Sequence, residues 1–134
     1  MNFMVGILII CHCNLGKELL SAAELILGRV ENSDYMAISQ VTENEELLKT
    51  IAEKIAALDK GSGVLVLTDM FGGTPSNLSL SLLNDERVEV LTGVNLPMVI
   101  SAVQFRDSLF LKELGERAES EGRRSITLAG SMIK

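Results

Sequence analysis

His12 is the single imidazole of this 134-residue chain, and it stands where an apolar run, Phe3 to Cys11, stops. Imidazole is the side chain whose ordinary titration range lies nearest neutrality, and in open α/β sheets the ligand crevice lies beyond the carboxyl ends of the strands. Asp69 ends a second apolar run, Gly63 to Thr68, in the same way. If the two runs are neighbouring strands, the carboxylate faces the imidazole across that crevice. A carboxylate accepting from one ring nitrogen fixes the tautomer, leaves the other nitrogen's lone pair outward and stabilises the cation formed on attack. His12 and Asp69 are therefore the candidate catalytic pair, with His12 as nucleophile.

The residues just past Asp69 suggest the electrophile. Gly72, Gly73 and Thr74 permit a tight turn into a helix with Pro75 at its first position, so free N–H groups and the positive end of the helix dipole can cradle an anion, with the Thr74 hydroxyl as a further donor. A phosphoryl group fits such a turn. Taken singly, an aspartate can merely cap a turn and a Gly-Gly-Thr-Pro stretch can merely start a helix; their coincidence at adjoining strand ends carries the weight. Met70 and Phe71, in the same loop, are a candidate docking surface for a partner.

Cys11-His12-Cys13 invites a metal reading. Strand alternation, however, would point both cysteines to one side and His12 to the other, and no second Cys or His cluster completes a tetrahedral site, so no metal is expected. No cofactor is implied. The thiols are either buried and inert or, for Cys13 beside the nucleophile, a point of modulation.

These residues are positioned by alternating strands and helices. Strand one is Phe3 to Cys11. Leu15 to Leu27 is an amphipathic helix, with Leu15, Leu19, Leu20, Ala23, Ile26 and Leu27 at helical spacing before the stop signal Gly28. Tyr35 to Val41 is a second strand, and Thr42 with Glu45 forms a capping box for a helix to Leu58. Gly63 to Thr68, continuously apolar, reads as a strand buried on both faces. Next come a short helix from Thr74 to about Leu83, a fourth strand from Arg87 to Thr92 and the loop Gly93 to Pro97. One or two helices then span Met98 to Glu121, interrupted near Arg106 to Leu109. Asn95 and Pro97 belong to a loop that either only connects or forms part of the partner-binding rim.

Repeated βα units imply a doubly wound, mostly parallel sheet, and the order 2-1-3-4 brings His12 and Asp69 together, with helices on both faces. Ser125 to Ala129, short and alternately polar, suits an antiparallel edge strand or pairing with another subunit. The length supports one domain over residues 1–134. A net charge of -6 with scattered lysines and arginines argues against nucleic acid as a partner. No Lys or Arg precedes the N-terminal apolar run, as a leader would require, and no stretch is long enough to span a bilayer. Two cysteines one residue apart cannot staple a fold, which favours a reducing, cytoplasmic setting.

Two segments are similar to motifs of a known family. Leu67-Thr-Asp-Met-Phe-Gly-Gly-Thr-Pro-Ser-Asn77 and Thr92-Gly-Val-Asn-Leu-Pro-Met98 resemble the corresponding stretches of the mannose-type enzyme IIA domain of the bacterial sugar phosphotransferase system, and the resemblance covers nearly the whole chain. It implies that His12 accepts a phosphoryl group from the carrier protein HPr, through Nε2, and hands it to a separate IIB component. Asp69 would orient the ring, and Thr74 with neighbouring amides would bind the phosphoryl group. Contact with the membrane would be only indirect, through a IIC/IID transporter. The family fold exchanges its last strand in a homodimer. One departure stands out. The family usually has Ser/Thr-His-Gly where this chain has Cys11-His12-Cys13, so Cys13 must be β or αR or occupy positive φ, at a cost of order 1 kcal/mol. Two further readings share the architecture: a non-transport regulatory phosphoprotein, and the phosphoryl-acceptor domain of a dihydroxyacetone-kinase phosphotransferase subunit.

Overall fold

The computed structural model describes residues 3–39, 44–70, 83 and 86–133. Four strands, β1 (Gly6–His12), β2 (Ser33–Ile38), β3 (Val64–Thr68) and β4 (Val88–Thr92), form an all-parallel sheet in the order β2-β1-β3-β4. Among the described residues four helices accompany them: α1 (Leu15–Leu27), α2 (Asn44–Leu58), α3 (Leu96–Phe105) and α4 (Leu111–Arg124). The expected order 2-1-3-4 is the observed one. The chain winds outward from β1 to β2, then returns past β1 to β3, so the switch point falls between β1 and β3.

Alternation in the two central strands explains why both faces are covered. Ile7, Ile9 and Cys11 of β1 and Leu65 and Leu67 of β3 pack beneath α1, α3 and α4, against Ala23, Val99, Ala102, Leu114 and Ala118. Leu8, Ile10, Val64 and Val66 face the other way, onto Leu47, Ile51 and Leu58 of α2. All nine of these strand side chains are fully buried, so truncating one of the larger ones to Ala would cost about 2–5 kcal/mol. On α1 the buried stripe is narrower than its periodicity suggests. Gly16 and Ala23 are buried, whereas Leu15 and Ile26 are exposed, contrary to expectation. The reason is close approach: a Cβ on Gly16 would lie 3.0 Å from the Ile9 carbonyl oxygen, so the helix contacts β1 along its small residues.

At the amino ends of the strands, polar groups tie the connections together. Asp59 accepts from the N–H groups of Gly61 (2.9 Å) and Gly63 (3.1 Å) and pairs with the Arg87 guanidinium. Burial would raise the Asp59 pKa, but those hydrogen bonds and the charge of Arg87 hold it below the ordinary carboxylate value. Arg106, buried at the end of α3, donates from Nη1 to the Asn32 carbonyl (3.3 Å) and to Ser33 Oγ (3.0 Å), and its own carbonyl accepts from Val5 N–H (3.2 Å).

The interruption near Arg106 to Leu109 is present and separates α3 from α4. The anticipated antiparallel strand at Ser125 to Ala129 is not: residues 126–128 form no ladder and Ala129–Met132 is a 3-10 turn. A strand needs a paired edge, and the described residues of one chain supply none to this segment. The capping residue Thr42 and the helix expected from Thr74 to about Leu83 lie outside the described residues, apart from Leu83 itself. Among the described residues no helix is long and apolar enough to cross a membrane.

Candidate active site

The parallel register brings the candidate pair together. Thr68, the last residue of β3, lies opposite Ile10, so the chain leaves β3 at Asp69 beside the end of β1, where His12 is the terminal residue. One carboxylate oxygen, Asp69 Oδ2, takes two bonds: from the His12 backbone N–H at 2.9 Å and from ring Nδ1 at 3.0 Å. The Asp69 side chain is only 10% exposed, while that of His12 is 47% exposed.

Burial alone would raise the Asp69 pKa. The backbone and ring hydrogen bonds from His12 and the charge of the imidazole outweigh it, and the net effect is a pKa below the ordinary carboxylate value. An ionised carboxylate only accepts hydrogen bonds, so the proton between the pair sits on Nδ1. In the neutral ring, Nε2 then carries the lone pair. That arrangement can act as a nucleophile with a held tautomer.

Cys13 makes the turn that ends β1. Its φ is +53°, in the left-handed region, and its N–H donates to the Ile38 carbonyl at the end of β2 (3.1 Å). A residue with a Cβ occupies this conformation at a cost of about 1–2 kcal/mol. The turn also overturns the expectation that the two cysteines share a side. Strand alternation ends at His12, leaving Cys11 buried and Cys13 exposed. Burial pushes the Cys11 thiol up to about 12, with the charge of Asp69 acting in the same direction.

The loop after β4 is bonded to the end of β3. Val94 N–H donates to the Thr68 carbonyl (2.9 Å), and Gly93 takes φ +84° to make the bend. Asn95 accepts from Met98 N–H (3.0 Å) as the N-cap of α3, and its amide nitrogen donates to the Gly122 carbonyl (3.1 Å). Pro97 lies within the first turn of α3, where a missing N–H is harmless. Met70 is 59% exposed next to Asp69. Phe71, Gly72, Gly73 and Thr74 lie outside the described residues. Among the described residues, no three His, Cys, Asp or Glu side chains are grouped to hold a metal ion.

The structure thus brings His12 and Asp69 together and sets Cys13 directly after them. Sequence reading missed the anchors Ile38 and Thr68, because backbone carbonyls leave no mark in residue types. It also missed the inward engagement of both ends of the Asn95 side chain. The Asn-Leu-Pro order was a legible signal for the first of these, since Asn followed by Pro within the next turn is a helix start.

Residues 6–119 match the family model described as the PTS system fructose IIA component. The mannose-specific EIIAB component of Escherichia coli K12 is 35% identical over 104 residues, covering 77% of this chain; the chain spans only 32% of that protein's length. The fructose-specific EIIA component of Bacillus subtilis 168 is 24% identical over 132 residues, covering 98% of this chain and 90% of that protein. In three dimensions the chain is similar to the crystal structure of phosphotransferase system component EIIA from Streptococcus agalactiae, with a TM-score of 0.86 and 27% identity over 96% of this chain and 99% of that one. With the paired His12 and Asp69 at the switch point of the same sheet, the chain belongs to the fructose- and mannose-type IIA family, whose members are phosphotransferase components of the sugar phosphotransferase system.

Proposed function

We propose that this protein is a phosphocarrier that receives a phosphoryl group from phospho-HPr on His12 Nε2 and passes it to a separate IIB component for sugar uptake. The observation that carries this reading is the 3.0 Å contact between His12 Nδ1 and Asp69 Oδ2, which leaves the lone pair on Nε2 of a half-exposed ring. In the forward step the Nε2 lone pair forms a bond to phosphorus while the bond from phosphorus to the donor's leaving atom breaks. Nδ1 keeps its proton, and Asp69 stabilises the positive charge on the ring. The second transfer is the same step with an acceptor atom of the IIB component as nucleophile.

Gly72, Gly73 and Thr74 supply donors to the phosphoryl oxygens in this proposal, as the N–H groups at a helix start would. Met70 and Phe71, with the rim that contains Asn95 and Pro97, form the docking surface for both partners. The setting is the cytoplasm, and the tail from Ser125 onward pairs with a second copy in a homodimer. Ile126, Leu128, Met132 and Ile133 are 74–81% exposed in the single chain, which supports a covering subunit.

The test is transfer from isotopically labelled phospho-HPr to the purified protein, followed by mapping of the acid-labile label. Label on His12, and none on a folded His12→Ala variant, is the expected result. Label on another residue, or none on the native protein, refutes the assignment.

A further inference from the structure

Asn95 uses a single amide group on two helices at once. Its carbonyl oxygen takes the Met98 N–H at the start of α3, and its nitrogen donates to the Gly122 carbonyl, one of the last four carbonyls of α4, which have no partner within their own helix. One side chain thereby answers the positive end of one helix and the negative end of another. Asparagine suits both tasks because it carries donor and acceptor on one rigid plane; aspartate has no donor. The two helices meet tightly here. A Cβ on Gly122 would lie 2.8 Å from Met98 Cε, the movable end of that side chain, and 3.4 Å from Asn95 Oδ1, so the end of α4 lies against both residues.

The loop so pinned is the one that holds the catalytic carboxylate. Val94, directly before Asn95, donates to the Thr68 carbonyl at 2.9 Å, and that carbonyl belongs to the same planar peptide unit as the Asp69 nitrogen. Fixing the oxygen fixes the plane from which Asp69 departs toward His12. Beyond Gly122 the chain runs straight into the tail, whose Ile126 lines a cavity of about 330 Å³ together with Thr92, Gly93, Asn95, Met98 and Gly122. The joint therefore lies between the active site and the segment that leaves the fold.

We infer that Asn95 is a positioning residue for phosphotransfer: by tying the start of α3 to the end of α4, it holds Val94 on the Thr68–Asp69 peptide and so sets the grip of Asp69 on His12. The inference rests on the phosphocarrier reading for its consequence in rate, but not for its consequence at His12.

Asn95→Asp separates the two bonds, since a carboxylate still caps α3 but cannot donate to Gly122. With the protein uniformly labelled with nitrogen-15, the His12 backbone amide and ring nitrogens are followed by NMR, and transfer from phospho-HPr is timed in parallel. The expected result is a folded protein whose His12 amide exchanges faster, whose ring nitrogens move toward a mixture of tautomers, and whose transfer slows about tenfold to a hundredfold. Asn95→Ser, which keeps an oxygen able to cap α3 but has no amide nitrogen to give to Gly122, should give the same signature and serves if Asn95→Asp does not fold. His12 signals unchanged in a folded variant, or transfer at the native rate, would overturn the inference. A native protein that accepts no phosphoryl group would instead sink the phosphocarrier reading, and the His12 signals would still decide the role of Asn95.

Discussion

Asp69 holds His12 through one oxygen and two bonds, one to the backbone N–H and one to ring Nδ1, so the carboxylate is located by the end of β1 even before it orients the ring. In the proposed transfer the ring bond is the functional one. In Asp69→Asn the backbone bond to the side-chain oxygen survives and the fold is retained, but an amide does not stabilise an imidazolium and can present its nitrogen to the ring. Transfer should fall by about two to four orders of magnitude, as when the aspartate of a catalytic triad is neutralised. Stopped-flow or quench-flow transfer from phospho-HPr checks this; native rates in Asp69→Asn would exclude the pairing.

Asp59 and Asp69 both have pKa values held below the ordinary carboxylate value in the folded chain. A depressed carboxylate contributes stability that is fully present above its unfolded pKa, about 4, and is lost as pH falls through the folded value. Denaturant midpoints should therefore be flat from pH 7 to about 5 and decline below about 4. Asp59→Asn should lower stability at pH 7 by about 1–2 kcal/mol, since the charged acceptor for Arg87 is removed. The gap between native and variant should close toward pH 2; a constant gap would show that Asp59 acts without its charge.

Cys13 and Cys11 should react very differently. Cys13 is exposed, whereas Cys11 is buried with its thiol pushed up to about 12. Iodoacetamide on the native protein at neutral pH should add one carbamidomethyl group, at Cys13, by peptide mass mapping. That adduct sits directly after the nucleophile and should slow phosphotransfer, while Cys13→Gly protein treated in the same way should be unaffected. Full transfer by alkylated native protein would mean that the thiol is a bystander.

The left-handed turn at Cys13 makes a separate demand. A β-branched side chain tolerates positive φ worse than cysteine does, so Cys13→Val should destabilise by about 1–2 kcal/mol. Cys13→Gly should change stability by less, because relief of strain is offset by the greater freedom of the unfolded chain, roughly 0.4–1 kcal/mol. Urea unfolding of the three proteins ranks them; Cys13→Val as stable as native would contradict the conformation.

Truncation after Arg124 removes the exposed apolar residues Ile126, Leu128, Met132 and Ile133 while keeping α4. If the tail pairs with a second copy, light scattering should show a dimer for the intact chain and monomer or aggregate after truncation. A stable monomer for the intact chain would remove the dimer from the proposal.

Much of this fold was legible because its signals are local. The fully buried runs ending at His12 and Asp69 announce central parallel strands, and their order follows from the rule that places helices on opposite faces. The contact between His12 and Asp69 was legible for the same reason, since the two residues end neighbouring strands. What escaped depends on distance or on φ. The shift of β2 to Ser33–Ile38 reflects tertiary ties at Asn32 and Ser33 to Arg106 and Leu58 that no window of neighbours contains. The backbone sign at Cys13 is set by where α1 must begin. The tail carries a strand-like pattern, yet a strand is a property of two partners, and one chain supplies only the first.

The polar ties at the amino ends of the strands have a consequence for motion. Arg106 joins Asn32, Ser33 and Val5, and Asp59 with Arg87 closes the entry to β3 and β4, so the rim farthest from His12 is cross-linked by side chains that hold several segments at once. Local opening of a native protein starts where the fewest bonds must break together. Native-state amide exchange should accordingly be slowest in the strand residues near Gly6, Val64 and Val88 and quicken toward the carboxyl ends, a gradient that places the softest part of the sheet at the end that carries His12.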